Sequence, residues 1–286
     1  MINGINCLNK GLSLSKNYNV FSHYSLNYIN KNLKDPNIRP LHYSLQSEQS
    51  FNEWLAGVID GDGHFSLHKN KYPRLQIDME MVNLPLINYI QERLGGSIYV
   101  NANRKNICSF YLGKNSEMTS LVHRVNGNIR NSVRIPQFMR VCEILGITYL
   151  APVTLSINNG WYSGLFDSDG CVTAIFSEIS PRITVTITQK YETDVNDFKI
   201  FGGYIVNRSL ENHYRWQSNK ESDVLKLVDY FNIYPLLSHK SSRITWVQTF
   251  YHLRYIKAHK PSSCHHSDWK IMSHSWKNWM PKDHKE

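Results

Sequence analysis

One short sequence occurs twice in this chain, and that repeat constrains its fold more than any other feature. Phe51-Asn52-Glu53-Trp54-Leu55-Ala56-Gly57-Val58-Ile59-Asp60-Gly61-Asp62-Gly63 returns as Trp161-Tyr162-Ser163-Gly164-Leu165-Phe166-Asp167-Ser168-Asp169-Gly170. Each copy reads as an apolar helix with small residues on one side, ending in Asp-small-Asp-Gly, and Asp62 and Asp169 stand 107 residues apart. Two more landmarks repeat in the same order. Gly95-Gly96-Ser97-Ile98-Tyr99-Val100-Asn101 is echoed 107 residues later by Gly202-Gly203-Tyr204-Ile205-Val206-Asn207. Ser132-Val133-Arg134-Ile135 is echoed at an offset of 109 by Ser241-Ser242-Arg243-Ile244. A unit of roughly 100 residues is far longer than a solenoid repeat, so the chain reads as a duplicated domain.

The elements follow from periodicity. Ser50-Phe51-Asn52-Glu53 has the form of a capping box and predicts a helix over 54–59, stopped by Gly61 and Gly63. Residues 63–68 and 74–81 alternate apolar with polar around a basic turn, Lys69-Asn70-Lys71-Tyr72-Pro73, as half-buried strands do. A helix over 84–94 is followed by a hairpin, 97–101 and 107–112, turning at Asn103-Arg104-Lys105-Asn106, and by helices over 116–125 and 136–145. The fold class is therefore α+β: two αββαββα halves, residues 47–147 and 159–258, joined by a linker at 148–158. Residues 1–46, rich in Asn and without an acid before Asp35, read as a poorly ordered extension. The tail, 259–286, holds Trp269, Trp276 and Trp279 among Lys and His. It either packs on the second half or touches the partner.

Composition narrows the partner. A chain that is 41% hydrophobic and 19% charged builds real cores. Lys plus Arg exceed Asp plus Glu by 32 to 23, a balance that favours a polyanion. No run approaches the ~20 apolar residues of a membrane span. Five scattered cysteines without CxxC spacing fit a reducing compartment rather than a disulfide framework or a zinc site. Abundant Asn, Lys, Tyr and Ile, whose codons are AT-rich, point to an organellar genome, a mitochondrion or else a chloroplast. Residues 1–46 contain only Arg39, unlike an Arg-rich mitochondrial presequence.

Duplicated halves pack about a pseudo-twofold axis, and the repeated helix is the element expected at that contact. Ala56-Gly57 and Ser163-Gly164 remove bulk in mid-helix, where Gly costs ~1 kcal/mol relative to Ala, a cost that close helix packing offsets. Such a crossing brings the two C-terminal ends together, and with them Asp62 and Asp169. Helix ends already carry partial negative charge, so two carboxylates there need a cation, and all-oxygen ligation selects a hard one, Mg²⁺ or Mn²⁺. The rival acids Asp60 and Asp167 are assigned to caps or hydrogen bonds within each half. An EF-hand is excluded because His64 and Phe65 stand where a ligand and the obligatory Gly belong.

Cation-bound carboxylates in a basic protein suit phosphodiester hydrolysis. The strands provide a binding surface: two sheets end to end span ~65 Å, or ~20 base pairs. Arg74, Gln76 and Asp78 in the first half, and Arg182, Thr184, Thr186 and Thr188 in the second, alternate with apolar residues and are the candidate base readers. Lys69, Lys71, Arg104, Arg208 and Arg215 are the basic candidates beside them.

Leu55 to Gly63 resembles the motif of the LAGLIDADG homing endonucleases, with Val58 and Gly61 as its only departures. The second copy is looser but keeps Gly164 and the Asp-x-Asp-Gly end. The likeness covers about residues 48–258 and points to the single-chain, two-motif, intron-encoded branch. It implies a β-saddle on double-stranded DNA, monomeric action, and motif helices at the interface. It also implies metal held by Asp62 and Asp169 with the Gly61 and Ser168 carbonyls, and both strands cut to leave short 3′ overhangs. Gln189 and Lys240 match the peripheral catalytic positions of the second half, whereas the first half has Met79-Glu80 and Arg130-Asn131 there. Two rivals stand beside the nuclease: an intron maturase that binds its own RNA, and a DNA-binding regulator with a dead site. Retention of both acids favours the nuclease.

Overall fold

A computed structural model describes residues 47–100 and 106–279. The first half runs α1 (Glu48–Asp62), β1 (Gly63–His68), β2 (Tyr72–Glu80), α2 (Leu84–Leu94), β3 (Ser97–Val100), β4 (Ile107–Leu112), α3 (Asn115–Val125) and α4 (Arg134–Leu145). The second runs α5 (Trp161–Asp169), β5 (Gly170–Ile175), β6 (Arg182–Gln189), α6 (Thr193–Asn196), β7 (Tyr204–Arg208), β8 (His213–Ser218), α7 (Glu221–Ile233) and α8 (Ser241–Tyr255), and α9 (His266–Lys277) follows it. Both helices expected after the first half's second hairpin, over 116–125 and 136–145, are present. The second half ends in the same pair, so each half carries one helix more than the shorthand αββαββα names. In the second half the inter-hairpin helix shrinks to the short α6 and a 3₁₀ turn over Asp197–Phe201.

Both sheets are antiparallel with the same strand order, β1-β2-β4-β3 and β5-β6-β8-β7. Their registers correspond: Gly63 pairs with Ile77, and Gly170 with Ile187. In each half the strand that follows the last motif acid is therefore anchored at the same rung. Leu75, Ile77 and Met79 in β2, and Ile183, Val185 and Ile187 in β6, are buried against the helices, leaving the alternate side chains on a wet face. The sequence's alternation is obeyed residue by residue.

Two local expectations change. The N-cap of α1 is Ser47, whose Oγ accepts from Ser50 N at 3.1 Å, so the helix begins a turn before the Ser50 capping box. Glu53 does not close that box, because it is buried and accepts from Gly160 N of the other half at 2.7 Å. Nor does Gly61 stop the helix, since α1 runs through Asp62. Gly63 does end it, but with extended backbone (φ −81°, ψ 156°) rather than a left-handed cap. Space explains that glycine: a Cβ there would lie 2.6 Å from Ile59 O, and one on its counterpart Gly170 2.4 Å from Phe166 Cγ.

Of the two readings of the tail, the structure shows packing on the second half. Trp269 lies against Phe176 and Phe250, Trp276 against Phe176 and Trp246, and Trp279 stacks on His239 at 4.9 Å between centroids. Among the described residues no helix is long and apolar enough to cross a membrane.

Candidate active site

The motif helices α1 and α5 cross at their glycines. A Cβ on Gly57 would sit 2.0 Å from Trp161 O and 2.6 Å from Leu165 N; one on Gly164 would sit 1.8 Å from Trp54 O and 2.9 Å from Val58 N. Each contact becomes the other when 107 is added or subtracted, which is the signature of a twofold relation. Two further contacts are exchanged in the same way. Trp54 Nε1 donates to Asp167 Oδ2 and Trp161 Nε1 to Asp60 Oδ2, both at 2.8 Å.

Asp60 and Asp167 therefore do more than the bonds within each half that the sequence led one to expect. Asp60 also accepts from Arg130 N at 2.7 Å, and Asp167 from Leu237 N and Ser238 N at 2.9 Å. Each ties the partner helix to the turn that leads, a few residues on, to a basic side chain. Burial pushes the Asp60 carboxyl up to about 7, and its Oδ1 is buried without a hydrogen-bond partner. Asp167 is likewise raised by burial, but both of its oxygens accept N–H bonds.

The crossing brings Asp62 and Asp169 to one place: a Cβ on Gly61 would meet Ser168 Cβ at 2.3 Å and Asp169 Oδ2 at 3.3 Å. Burial first, and the Asp169 carboxylate second, push Asp62 up to about 7, opposed by Lys240, Ser168 and Arg134. Burial raises Asp169 too, opposed first by its hydrogen bond from Gln189 Nε2 at 2.7 Å.

The helix ends beneath these acids are held by cations. Lys240 Nζ donates to Phe166 O, Asp167 O and Ser168 O at 3.2, 2.9 and 2.6 Å. Arg134 does the same for the first half, from Nε to Ile59 O and from Nη2 to Gly61 O, both at 3.3 Å. The carbonyls of Gly61 and Ser168 thus already accept one hydrogen bond each, and each keeps a second lone pair for a metal. Burial lowers the pKa of Lys240, while Asp167, Asp62 and Asp169 oppose that shift.

The repeat hid Arg134. Its echo at 109 residues is Arg243, whereas Lys240 echoes Asn131, so the basic group has moved three residues, about one helical turn, between the halves. Gln189 has no equivalent either, since the matching rung of β2 holds buried Met79. The tryptophan–aspartate exchange was legible in principle, because Trp and Asp lie six residues apart in both copies.

The candidate readers lie on the wet faces. Arg74 and Arg182 are exposed; Gln76, Asp78, Thr184, Thr186 and Thr188 are half-buried. Gln76 Nε2 donates to both Asp78 oxygens, at 3.0 and 2.9 Å, and Arg215 Nε donates to Thr188 Oγ1 at 3.3 Å. Lys69, Lys71 and Arg208 are exposed, and Arg104 falls outside the described residues.

A family profile described as LAGLIDADG endonuclease matches residues 55–145 and 162–250. The intron-encoded RNA maturase bI4 of Saccharomyces cerevisiae is 33% identical over 264 residues, 89% of this chain and 41% of that protein. The chain thus spans less than half the length of that relative. The intron-encoded DNA endonuclease ai2a of Dictyostelium discoideum is 31% identical over 216 residues, 73% of this chain and 68% of its own. Among solved structures, the LAGLIDADG meganuclease I-AabMI bound to uncleaved DNA shares the fold, with a TM-score of 0.57 over 78% of this chain and 96% of its own at 21% identity. With the profile matching both halves and the acids of both motifs brought together at the helix crossing, the chain belongs to the LAGLIDADG endonuclease family.

Proposed function

We propose that the chain is a site-specific DNA endonuclease that hydrolyses one phosphodiester in each strand of a long, partly asymmetric duplex. The reaction uses a divalent cation, Mg²⁺ or Mn²⁺, and promotes mobility of the intron that encodes the protein. One observation carries this reading: two half-buried carboxylates, Asp62 and Asp169, meet at a helix crossing between two sheets with outward-facing polar rows. The donors fit a hard cation, because the two acids and the Gly61 and Ser168 carbonyls offer oxygen alone. A cation also relieves the repulsion that helps to raise Asp62. When bound, it supplies Lewis-acid stabilisation of charge developing on the phosphoryl oxygens.

The chain's own residues orient and hold. Lys240 and Arg134 fix the helix ends and put positive charge beside the scissile phosphates. Gln189 holds Asp169 in one orientation. Lys69, Lys71, Arg104 and Arg208 contact backbone phosphates, while Arg74, Gln76, Asp78, Arg182, Thr184, Thr186, Thr188 and Arg215 face base edges in the major groove. Both acids are on one chain, so a monomer suffices. Its place of action is the organelle that carries the gene, a mitochondrion, in keeping with the composition and the intron-encoded relatives.

A second reading, an RNA maturase on the same fold, is favoured by the 33% identity to the yeast maturase. One assay separates the two. The protein is incubated with Mg²⁺ and plasmid DNA carrying the intronless exon junction of its host gene. Linear product that disappears in Asp62→Asn and in Asp169→Asn is the expected result. Intact DNA together with faster splicing of the intron RNA would replace the nuclease by the maturase.

A further inference from the structure

Asn131 belongs to the first half, yet it reaches the second-half acid. It is buried in the turn before α4, and its Oδ1 accepts from Val133 N at 2.9 Å and Arg134 N at 3.3 Å. Backbone N–H groups can only donate, so the carbonyl end of this amide is committed to them. Its Nδ2 must then face outward, and it donates to Gln189 Oε1 at 3.1 Å. That in turn commits the buried Gln189 amide, whose Nε2 donates to Asp169 Oδ2 at 2.7 Å. Reversing either amide would set two donors or two acceptors face to face inside the protein, where an unmade bond is costly.

We propose that Asn131 is a positioning residue for the second-half acid: by donating to Gln189 Oε1 it locks the Gln189 amide with its N–H end on Asp169. The same side chain orders the turn that delivers Arg134 to Gly61 O at the first-half acid. A single first-half amide thus supports both acids, in different ways. Its echo at the 109-residue offset is Lys240, so the two halves fill equivalent positions with different tasks. The proposal rests on the nuclease reading only for its kinetic readout.

Asn131→Asp tests it, because the variant keeps the oxygen that accepts Val133 and Arg134 N–H and replaces the donor to Gln189 by an acceptor. Asn131→Ser, which removes the amide donor without adding charge, is measured beside it. The first readout needs no cleavage. In protein labelled with ¹⁵N in glutamine side chains, the Gln189 amide signal, assigned by its loss in Gln189→Ala, should shift and exchange faster in the variant. The second readout is the nicking rate of each strand, end-labelled separately, on a duplex carrying the intronless junction. Asn131→Asp and Gln189→Ala should slow the same strand by ~10-fold or more, and the double variant should be no slower on that strand than Gln189→Ala. An unmoved Gln189 signal, equal slowing of both strands, or additive losses would overturn the proposal. If the wild-type protein leaves the duplex uncut, the nuclease reading falls while the amide spectrum still decides on Asn131. Should Asn131→Asp not fold, Asn131→Ser, with a hydroxyl acceptor and no amide donor, decides alone.

Discussion

At Asp169 the carboxylate receives a hydrogen bond from Gln189, and the helix end below it is gripped by the ammonium of Lys240 through three carbonyls. At Asp62 the matching strand position is Met79, and the helix end is held by Arg134 through two carbonyls. The acids two residues earlier differ in the same sense, since both oxygens of Asp167 are satisfied whereas Asp60 has an orphaned Oδ1. Backbone contacts across the interface are reciprocal, but the side chains around the acids are not. Duplication copied the frame, and the two acids then acquired different surroundings.

The frame gives the largest expected effect. Gly57→Ala and Gly164→Ala each drive a methyl into backbone that has no room for it, and each should cost ~3 kcal/mol in denaturant unfolding. A loss in one variant and not the other would break the reciprocity of the crossing. The basic groups test the difference between the halves. Lys240→Met and Arg134→Met should each lower nicking by ~10²-fold, on opposite strands. If both slow the same strand, the assignment of one cation to each acid is wrong.

The tryptophan exchange should give unequal, smaller effects. Trp161→Phe leaves Asp60 with one backbone donor and should destabilise by ~2 kcal/mol, whereas Trp54→Phe leaves Asp167 with two and should cost ~1 kcal/mol. Chemical denaturation of the pair measures the gap, and equal losses would show that the orphaned oxygen of Asp60 has no energetic consequence.

Protonation tests the crowding of the two acids. The Asp62 carboxyl is raised from 3.8 to about 7 on folding, so the folded state binds more protons than the unfolded state between these values. Stability from this group is complete below the lower value and is lost as pH rises through the upper one. In chelator, Asp62→Asn should therefore raise Tm above pH 7 and leave it unchanged near pH 3, while Mg²⁺ should raise the Tm of the wild type more than that of the variant. A Tm that Asp62→Asn fails to raise in chelator at pH 8 would mean that the acid is not strained by burial and by its neighbour.

Much of this was legible along the chain. The period-2 alternation of Arg74 to Met79 and of Arg182 to Gln189 assigned the wet and dry faces, because a strand has only two. The 107-residue echo paired Asp62 with Asp169 and gave Gly57 and Gly164 a shared reason. The Ser50 capping box misled because Ser47 offers the same chemistry one turn earlier, and because Glu53 has a stronger claim in the other half.

The sequence by itself determined the duplication, the strand faces and the two acids, since those are matters of periodicity and spacing. Tertiary structure alone decided that Arg134, and not the residue aligned with Lys240, supports the first acid. It also decided that Asn131 serves the acid of the opposite half through Gln189, and that each motif tryptophan bonds to the other motif's aspartate. The reason is physical: a long guanidinium reaches back a helical turn, and an amide's polarity is set by whichever donors fold against it. Neither is a property of position in the chain.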